Sequence, residues 1–247
     1  MNETLDAGYK ILQEHHAIWD SKEILREIYK DYYARMMRYS KEPNILEIGG
    51  GTGNLKRLYP GVVSTDILST PWVDVVCDAQ HLPFEDESFN TILMVDVLHH
   101  IQKPALFFQE ASRVLKSGGR IVLLEPAITS VSWFFYNFFH PEPVKMGVNP
   151  FEDIQSQQPW QSFDANQAIP ELIFGKYNEK FLELFPMFKV IKKEYISLFC
   201  YPLSGGFKPW SLIPARFFDG ILALEKKLEN KIGKFSAFRL FVVVEKI

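Results

Sequence analysis

Cysteine is nearly missing: Cys77 and Cys200 are the only two in 247 residues. Two thiols build no disulfide framework, so each is expected to be a small buried apolar group, and a reducing, cytoplasmic setting fits. No stretch approaches the roughly 18 uninterrupted apolar residues that a membrane span needs. The opening MNETLDAGYK has neither a basic start followed by an apolar run nor a cleavage site, so no secretory signal is expected. Basic runs are lacking as well. The 27 Lys and Arg are scattered among 30 Asp and Glu, for a formal charge of -3, and nothing stands ready to neutralise a phosphate backbone; nucleic acid is not an expected partner. The histidines His15, His16, His81, His99, His100 and His140 show no zinc-ligand spacing, and no metal is expected. Repeats, low-complexity tracts and Gly/Ser linkers are absent too, which leaves a single domain as the expectation for this length.

What the chain does have is an alternation of short apolar runs with helical or turn-rich segments. Residues 21 to 39 place Ile24, Leu25, Ile28, Tyr32 and Met36 on one helical stripe, with Ser21 as the expected cap and Pro43 ending the pattern. Apolar runs follow at Ile45 to Ile48, Val62 to Ser64, Val73 to Val76, Thr91 to Val95 and Arg120 to Leu124. Such alternation predicts an α/β fold with a parallel sheet and helices on both faces. Residues 127 to 175 break the rhythm with many aromatics, Pro141, Pro143, Pro150, Pro159 and Pro170, and no clear strand; they are expected as an insertion over the sheet's carboxyl edge. Regular structure is expected again as a helix near Tyr177 to Leu184, a strand near Lys189 to Leu198, a helix near Pro214 to Lys231 and a last strand, Phe238 to Val244.

The segment Asn44-Ile45-Leu46-Glu47-Ile48-Gly49-Gly50-Gly51-Thr52-Gly53-Asn54-Leu55 runs an apolar strand straight into a glycine-rich turn and a helix. A glycine loop alone is a weak signal. Asp66 adds to it: it ends the next apolar run, 66 − 47 = 19 positions after Glu47, where a carboxylate accepts the two hydroxyls of an adenosine ribose. Asp78 ends the third run, and its neighbour Ala79 leaves room for a flat base. The third glycine of a dinucleotide fingerprint would fall at position 54, which is Asn54, so a nicotinamide dehydrogenase is the weaker reading; no Gly-Lys-Ser/Thr ending suits a triphosphate either.

Together these stretches resemble the class I S-adenosylmethionine-dependent methyltransferases, and among them the type 11 group that includes quinone-biosynthesis and small-molecule methyltransferases. The likeness covers residues 43 to 126: the glycine loop, Ser64-Thr65-Asp66, Cys77 to Phe84, Ser88 to Ile92, Val97-Leu98-His99-His100-Ile101, and Arg113 to Arg120 leading to Glu125-Pro126. Asn90, where the family usually has Asp, and Ser117, where Pro is common, are departures expected to be structural. The resemblance implies a Rossmann-like, mostly parallel seven-stranded sheet with its last strand antiparallel. It divides the chain into an N-terminal helical lid (1–42), a cofactor-binding core (43–126), a substrate-side insertion (127–175) and a segment completing the sheet (176–247).

The resemblance also implies S-adenosylmethionine as cofactor. Glu47 and the backbone of Gly49, Gly50, Gly51 and Gly53 would surround its amino-acid portion, Asp66 would hold the ribose, and Asp78, Ala79, Gln80 and Ile67 would surround the adenine, with Val95 at the end of the fourth strand. Asp96, His99 and His100 follow that strand and are the candidates for a catalytic role, imidazole being the side chain that titrates near neutrality. The Asn/Asp-Pro-Pro-aromatic run of base amino methylation is missing after that strand, and so is the glutamate pair of arginine methylation. Aromatics make up 15% of the chain, with 21 Phe, and cluster at Val131 to His140 and Leu198 to Phe218. They suggest a small or lipid-linked, lipophilic acceptor and peripheral membrane contact, in a monomer or homodimer. The rival reading is a non-catalytic S-adenosylmethionine-binding sensor or partner subunit, which would keep the same glycine and acidic residues.

Overall fold

The computed structural model describes residues 3–152, 161 and 163–247; Pro159 of the insertion lies outside them. Two helices come first, α1 (Glu3–Ser21) and α2 (Glu23–Met37). On α2 the residues Ile24, Leu25, Ile28, Tyr29, Tyr32, Tyr33 and Met36 are buried, a stripe at helical spacing that packs on the sheet. Ser21 does not cap α2. Its hydroxyl donates to the carbonyls of Ala17 and Ile18 and so belongs to the last turn of α1. The residue between the helices, Lys22, has its ammonium ringed by the carbonyls of Ser204, Gly206, Lys208 and Trp210 at 2.5–2.9 Å. Burial lowers its pKa to about 8.

The core then follows as β1 (Ile45–Ile48), α3 (Asn54–Leu58), β2 (Val63–Asp66), β3 (Val75–Val76), β4 (Phe89–Val95), α4 (Pro104–Val114) and β5 (Leu115–Pro126). The expected insertion supplies α5 (Ser130–Phe139), opened by a capping box between Thr129 and Ser132, and the short α6 (Ile169–Glu171). It contributes no strand among its described residues. The chain closes with α7 (Asn178–Leu184), β6 (Phe188–Ile196), α8 (Cys200–Ser204), α9 (Phe218–Ser236) and β7 (Arg239–Lys246).

The seven strands lie in the order β3-β2-β1-β4-β5-β7-β6, parallel except for β7, which runs antiparallel between β5 and β6. Successive side chains alternate between faces. In β4, Ile92 and Met94 join a core with Phe107, Phe108 and Phe181, whereas Leu93 joins the α2 side with Val122, Leu124 and Phe241. Both faces are therefore covered, as the continuous apolar strands require. Asn90 is structural: its amide donates to the Pro43 carbonyl at 2.7 Å, a bond that a carboxylate could not make. The order reverses between β1 and β4, and at such a switch point a crevice opens beyond the strands' carboxyl ends.

Candidate functional site

The glycine loop sits at that crevice. Gly49 has φ of 73°, and a Cβ there would lie 2.2 Å from Val97 Cγ2, so a side chain is excluded by both backbone and neighbour. At Gly51, φ is 47° and a Cβ would meet Leu12 at 3.4 Å, Asp66 at 3.8 Å and the Gly49 carbonyl oxygen at 3.9 Å, all ordinary contact distances. The Gly51 N–H donates to Asp66 Oδ2 at 2.8 Å, and the Leu68 N–H donates to Oδ1 at 2.8 Å. Glu47 lies behind the loop, where the Ser64 hydroxyl donates to its Oε2 at 2.6 Å; burial raises its pKa to about 7. Burial raises Asp66 as well, against the backbone N–H groups of Leu68, Gly51 and Ile67.

Asp78 folds onto its own turn, accepting from the Gln80 N–H at 2.8 Å and from the Gln80 side-chain amide at 3.1 Å. Gln80 Oε1 in turn accepts the Lys103 N–H. Ala79 is half-buried and Ile67 is exposed beside them. The glycines, Glu47 and Asp66 thus share one corner, with the Asp78 turn following β3 and Val95 ending β4.

The helix α1 crosses this corner. Besides Leu12 over Gly51, His16 Nδ1 bonds the Thr52 carbonyl at 3.3 Å, and its ring stacks on Trp72 at 4.2 Å. Tyr9 lies on the same Trp72. An open recess of about 330 Å³ lies to one side, walled by Arg26, Asn54 and Arg57 and by none of the expected site residues.

The three catalytic candidates differ in state. Asp96 takes a left-handed backbone, φ 57°, and pairs with Arg239 from β7, deep in the fold. His99 is buried between two carboxylates, with Nδ1 at 2.7 Å from Glu125 and Nε2 at 3.4 Å from Glu142. Burial alone would lower its pKa, but the two carboxylates prevail and carry it up to about 10. Its proton in turn holds Glu142 at about 2, against the effect of burial. Held as an imidazolium, His99 has no lone pair to take up a proton. His100 is the opposite: burial and the neighbouring His99 charge push it down to about 4, so it is neutral at pH 7. Its Nδ1 lies 3.2 Å from the Asp164 carbonyl, which only accepts, so Nδ1 carries the hydrogen.

Several residues of this cluster were not expected from sequence. Glu125 aligns the histidine turn: Oε1 accepts the N–H groups of Val97 and Leu98 at 3.0 and 2.8 Å, while Oε2 holds His99. From the insertion, Gln167 donates to Glu142 at 2.9 Å and bonds His140 Nδ1 at 3.0 Å. His99, His100 and Glu142 bring three ligand-type atoms within 4.8 Å of one another; the ion pairing of His99 accounts for that closeness without a metal.

Comparison with known proteins agrees with this layout. Residues 46–123 match the family model described as a methyltransferase domain. An uncharacterized protein of Methanocaldococcus jannaschii is 31% identical over 123 residues, 46% of this chain and 58% of that one. A ubiquinone/menaquinone biosynthesis C-methyltransferase of Ruegeria is 28% identical over 123 residues, 41% of this chain and 49% of that one. The chain thus spans about half the length of the curated relatives it matches. In fold it is similar to a SAM-dependent methyltransferase from Archaeoglobus fulgidus, with a TM-score of 0.54 and 16% identity over 90% of this chain and 94% of that one. Residues 46–123, with the glycine loop and the strand order around them, are thus similar to the class I methyltransferases of type 11.

Proposed function

We propose that this chain transfers a methyl group from S-adenosylmethionine to a small or lipophilic acceptor. The observation that carries the reading is the Asp66 carboxylate bonded to the Gly51 N–H at the switch point of the sheet. The residues present fit the cofactor. Each Asp66 oxygen accepts one backbone N–H and has a lone pair left for a ribose hydroxyl. The backbone at Gly51 is open where a side chain would intrude. Glu47, Gly49, Gly50, Gly51 and Gly53 would surround the amino-acid portion, and Ile67, Asp78, Ala79, Gln80 and Val95 the adenosine side.

When bound, the cofactor supplies a methyl group on a positive sulfonium, already activated for in-line displacement. The chain's own task is alignment, which supplies much of the acceleration in such a step. Where the acceptor must also lose a proton, the neutral His100 and the Asp96 carboxylate are the groups to receive it, while the protonated His99 positions the turn that carries them. The relatives' names point to a quinone-like ring as acceptor. A lipophilic acceptor also suits the outward Trp133, Phe134, Phe138 and Phe139 of α5, which packs on α9 with its exposed Lys227, Lys231 and Lys234. Apolar side chains beside lysines fit an anionic membrane surface, and among the described residues no helix is long and apolar enough to cross one.

Titration calorimetry tests the reading. Asp66→Ala should weaken S-adenosylmethionine binding about 10- to 100-fold, the worth of one hydrogen bond to a charged group. Unaltered affinity would remove the cofactor site. Mass-spectrometric screening of metabolite and lipid extracts for the gain of one CH₂ then separates an enzyme from a binding protein without turnover.

A further inference from the structure

Arg239 opens β7 at its buried end and reaches past β5 to the Asp96 carboxylate that follows β4. Its guanidinium carries five N–H donors in one rigid plane. Nη1 donates to Asp96, and that is its one hydrogen bond among the described residues; Nε is sealed from solvent without a partner. A charged donor buried and unmatched is costly to keep. One face of the guanidinium is taken, since Tyr201 lies 4.3 Å away, ring centroid to Cζ. What remains is the edge formed by Nε and Nη2.

Space opens on the Asp96 side of the pair: Asp96 keeps 29% of its side chain accessible, whereas Arg239 keeps 5% and its Nε is closed off. Around the pair stand Tyr29, Tyr136, Tyr201 and His140, each of them sensing the charges of both Arg239 and Asp96. His140 continues through Gln167, whose Oε1 is a second buried atom without a partner. The walls are flat rings with few polar edges, and the crevice lies just past the carboxyl end of β4, beside the histidine turn.

We propose that the Nε–Nη2 edge of Arg239 anchors the methyl acceptor, and that the acceptor carries a carboxylate on a flat, aromatic body. Two parallel N–H groups on one guanidinium edge match the two oxygens of a carboxylate, whereas an amide or hydroxyl oxygen satisfies only part of that fork. Arg239 and protonated His99 stand against Asp96, Glu125 and Glu142, one negative charge in excess, which the sulfonium of the cofactor would offset. The anion site follows from these residues alone; that its occupant is the acceptor rests on the methyltransferase reading.

The probes are benzoate and its neutral isostere benzamide, titrated calorimetrically into the full chain with and without S-adenosylhomocysteine. Benzoate is expected to bind at least about tenfold more tightly than benzamide. Arg239→Lys, which keeps the charge and loses the fork, is expected to abolish that preference while S-adenosylhomocysteine binds both proteins alike. Equal affinity for the two probes, no saturable benzoate binding at about 10 mM, or a preference retained by Arg239→Lys overturns the proposal. Should Arg239→Lys fail to fold, the ratio of the two probes on the unaltered chain decides. A chain that prefers benzoate but ignores S-adenosylhomocysteine sinks the methyltransferase reading and keeps the anion site; the reverse pattern sinks the anion site alone.

Discussion

Glu125 is the residue whose removal the structure prices most clearly. It is fully buried, and its two oxygens serve three donors: the N–H groups of Val97 and Leu98 and the His99 imidazolium. In Glu125→Ala the imidazolium keeps only Glu142 at 3.4 Å, and two buried N–H groups lose their acceptor. Removing one partner of a buried ion pair costs about 3–5 kcal/mol, and each buried unmatched N–H about 1–3 kcal/mol. These effects share one cavity and do not add, so the expected loss is about 4 kcal/mol, the middle of the ion-pair range. For a chain of this size that corresponds to a melting temperature lower by roughly 8–16 °C. Glu125→Gln keeps one carbonyl oxygen for Val97 and Leu98 and should lose less. Urea unfolding of the three proteins at pH 7 is the assay. If Glu125→Ala unfolds within about 1 kcal/mol of the unaltered chain, the histidine turn is not organised by this carboxylate and its role as a positioning residue fails.

The same ion pair sets a pH window. His99 is raised to about 10 in the fold, so its contribution is complete below its ordinary value of 6.5 and is lost as pH climbs through 10. Glu142 is lowered to about 2, so its contribution is complete above its ordinary 4.5 and is lost as pH falls through 2. Urea midpoints should therefore be highest between these limits, and His99→Gln should flatten the alkaline limb; an unchanged slope contradicts the pairing. Gly49→Ala places a methyl 2.2 Å from Val97 at φ 73° and should cost about 2 kcal/mol or more along with cofactor affinity, by melting and calorimetry. Trp72→Ala removes the ring under His16 and Tyr9; α1 should then be cut faster by protease in the absence of cofactor, and equal cutting rates would show that the stacking does not hold it. Phe134→Asp with Phe138→Asp should reduce retention on anionic liposomes at least about tenfold with melting unchanged, because both rings are more than half exposed.

That the glycine loop, Glu47 and Asp66 share one corner was legible because the signals are local. A strand, a glycine turn and a helix occupy a dozen consecutive residues, and Asp66 ends the next strand, so one pass along the chain aligns them. The sheet was legible for the same reason, each parallel strand being a continuous apolar run. The cluster around the histidines was not. Glu142 and Gln167 come from the insertion, and Arg239 lies 143 positions from Asp96; no spacing rule joins such residues. One signal was available: Arg239 enters Phe238 to Val244, a run otherwise entirely apolar, and a lone guanidinium at the head of a buried strand requires a partner. The Ser21 cap failed because α1 runs through to that residue, and a serine hydroxyl inside a helix turns back to the preceding carbonyls.

Lys22 has a consequence for access to the corner. With four carbonyls gripping its ammonium, the junction of α1 and α2 is pinned to the 204–210 loop, and this end of α1 is the fixed jamb of a door. Leu12, ten positions earlier, lies roughly 15 Å along the helix from that pivot, so a rotation of roughly 20° would carry it some 5 Å clear of Gly51. Such a rotation would break the stack of rings that Tyr9 and His16 make on Trp72 and would leave the core untouched.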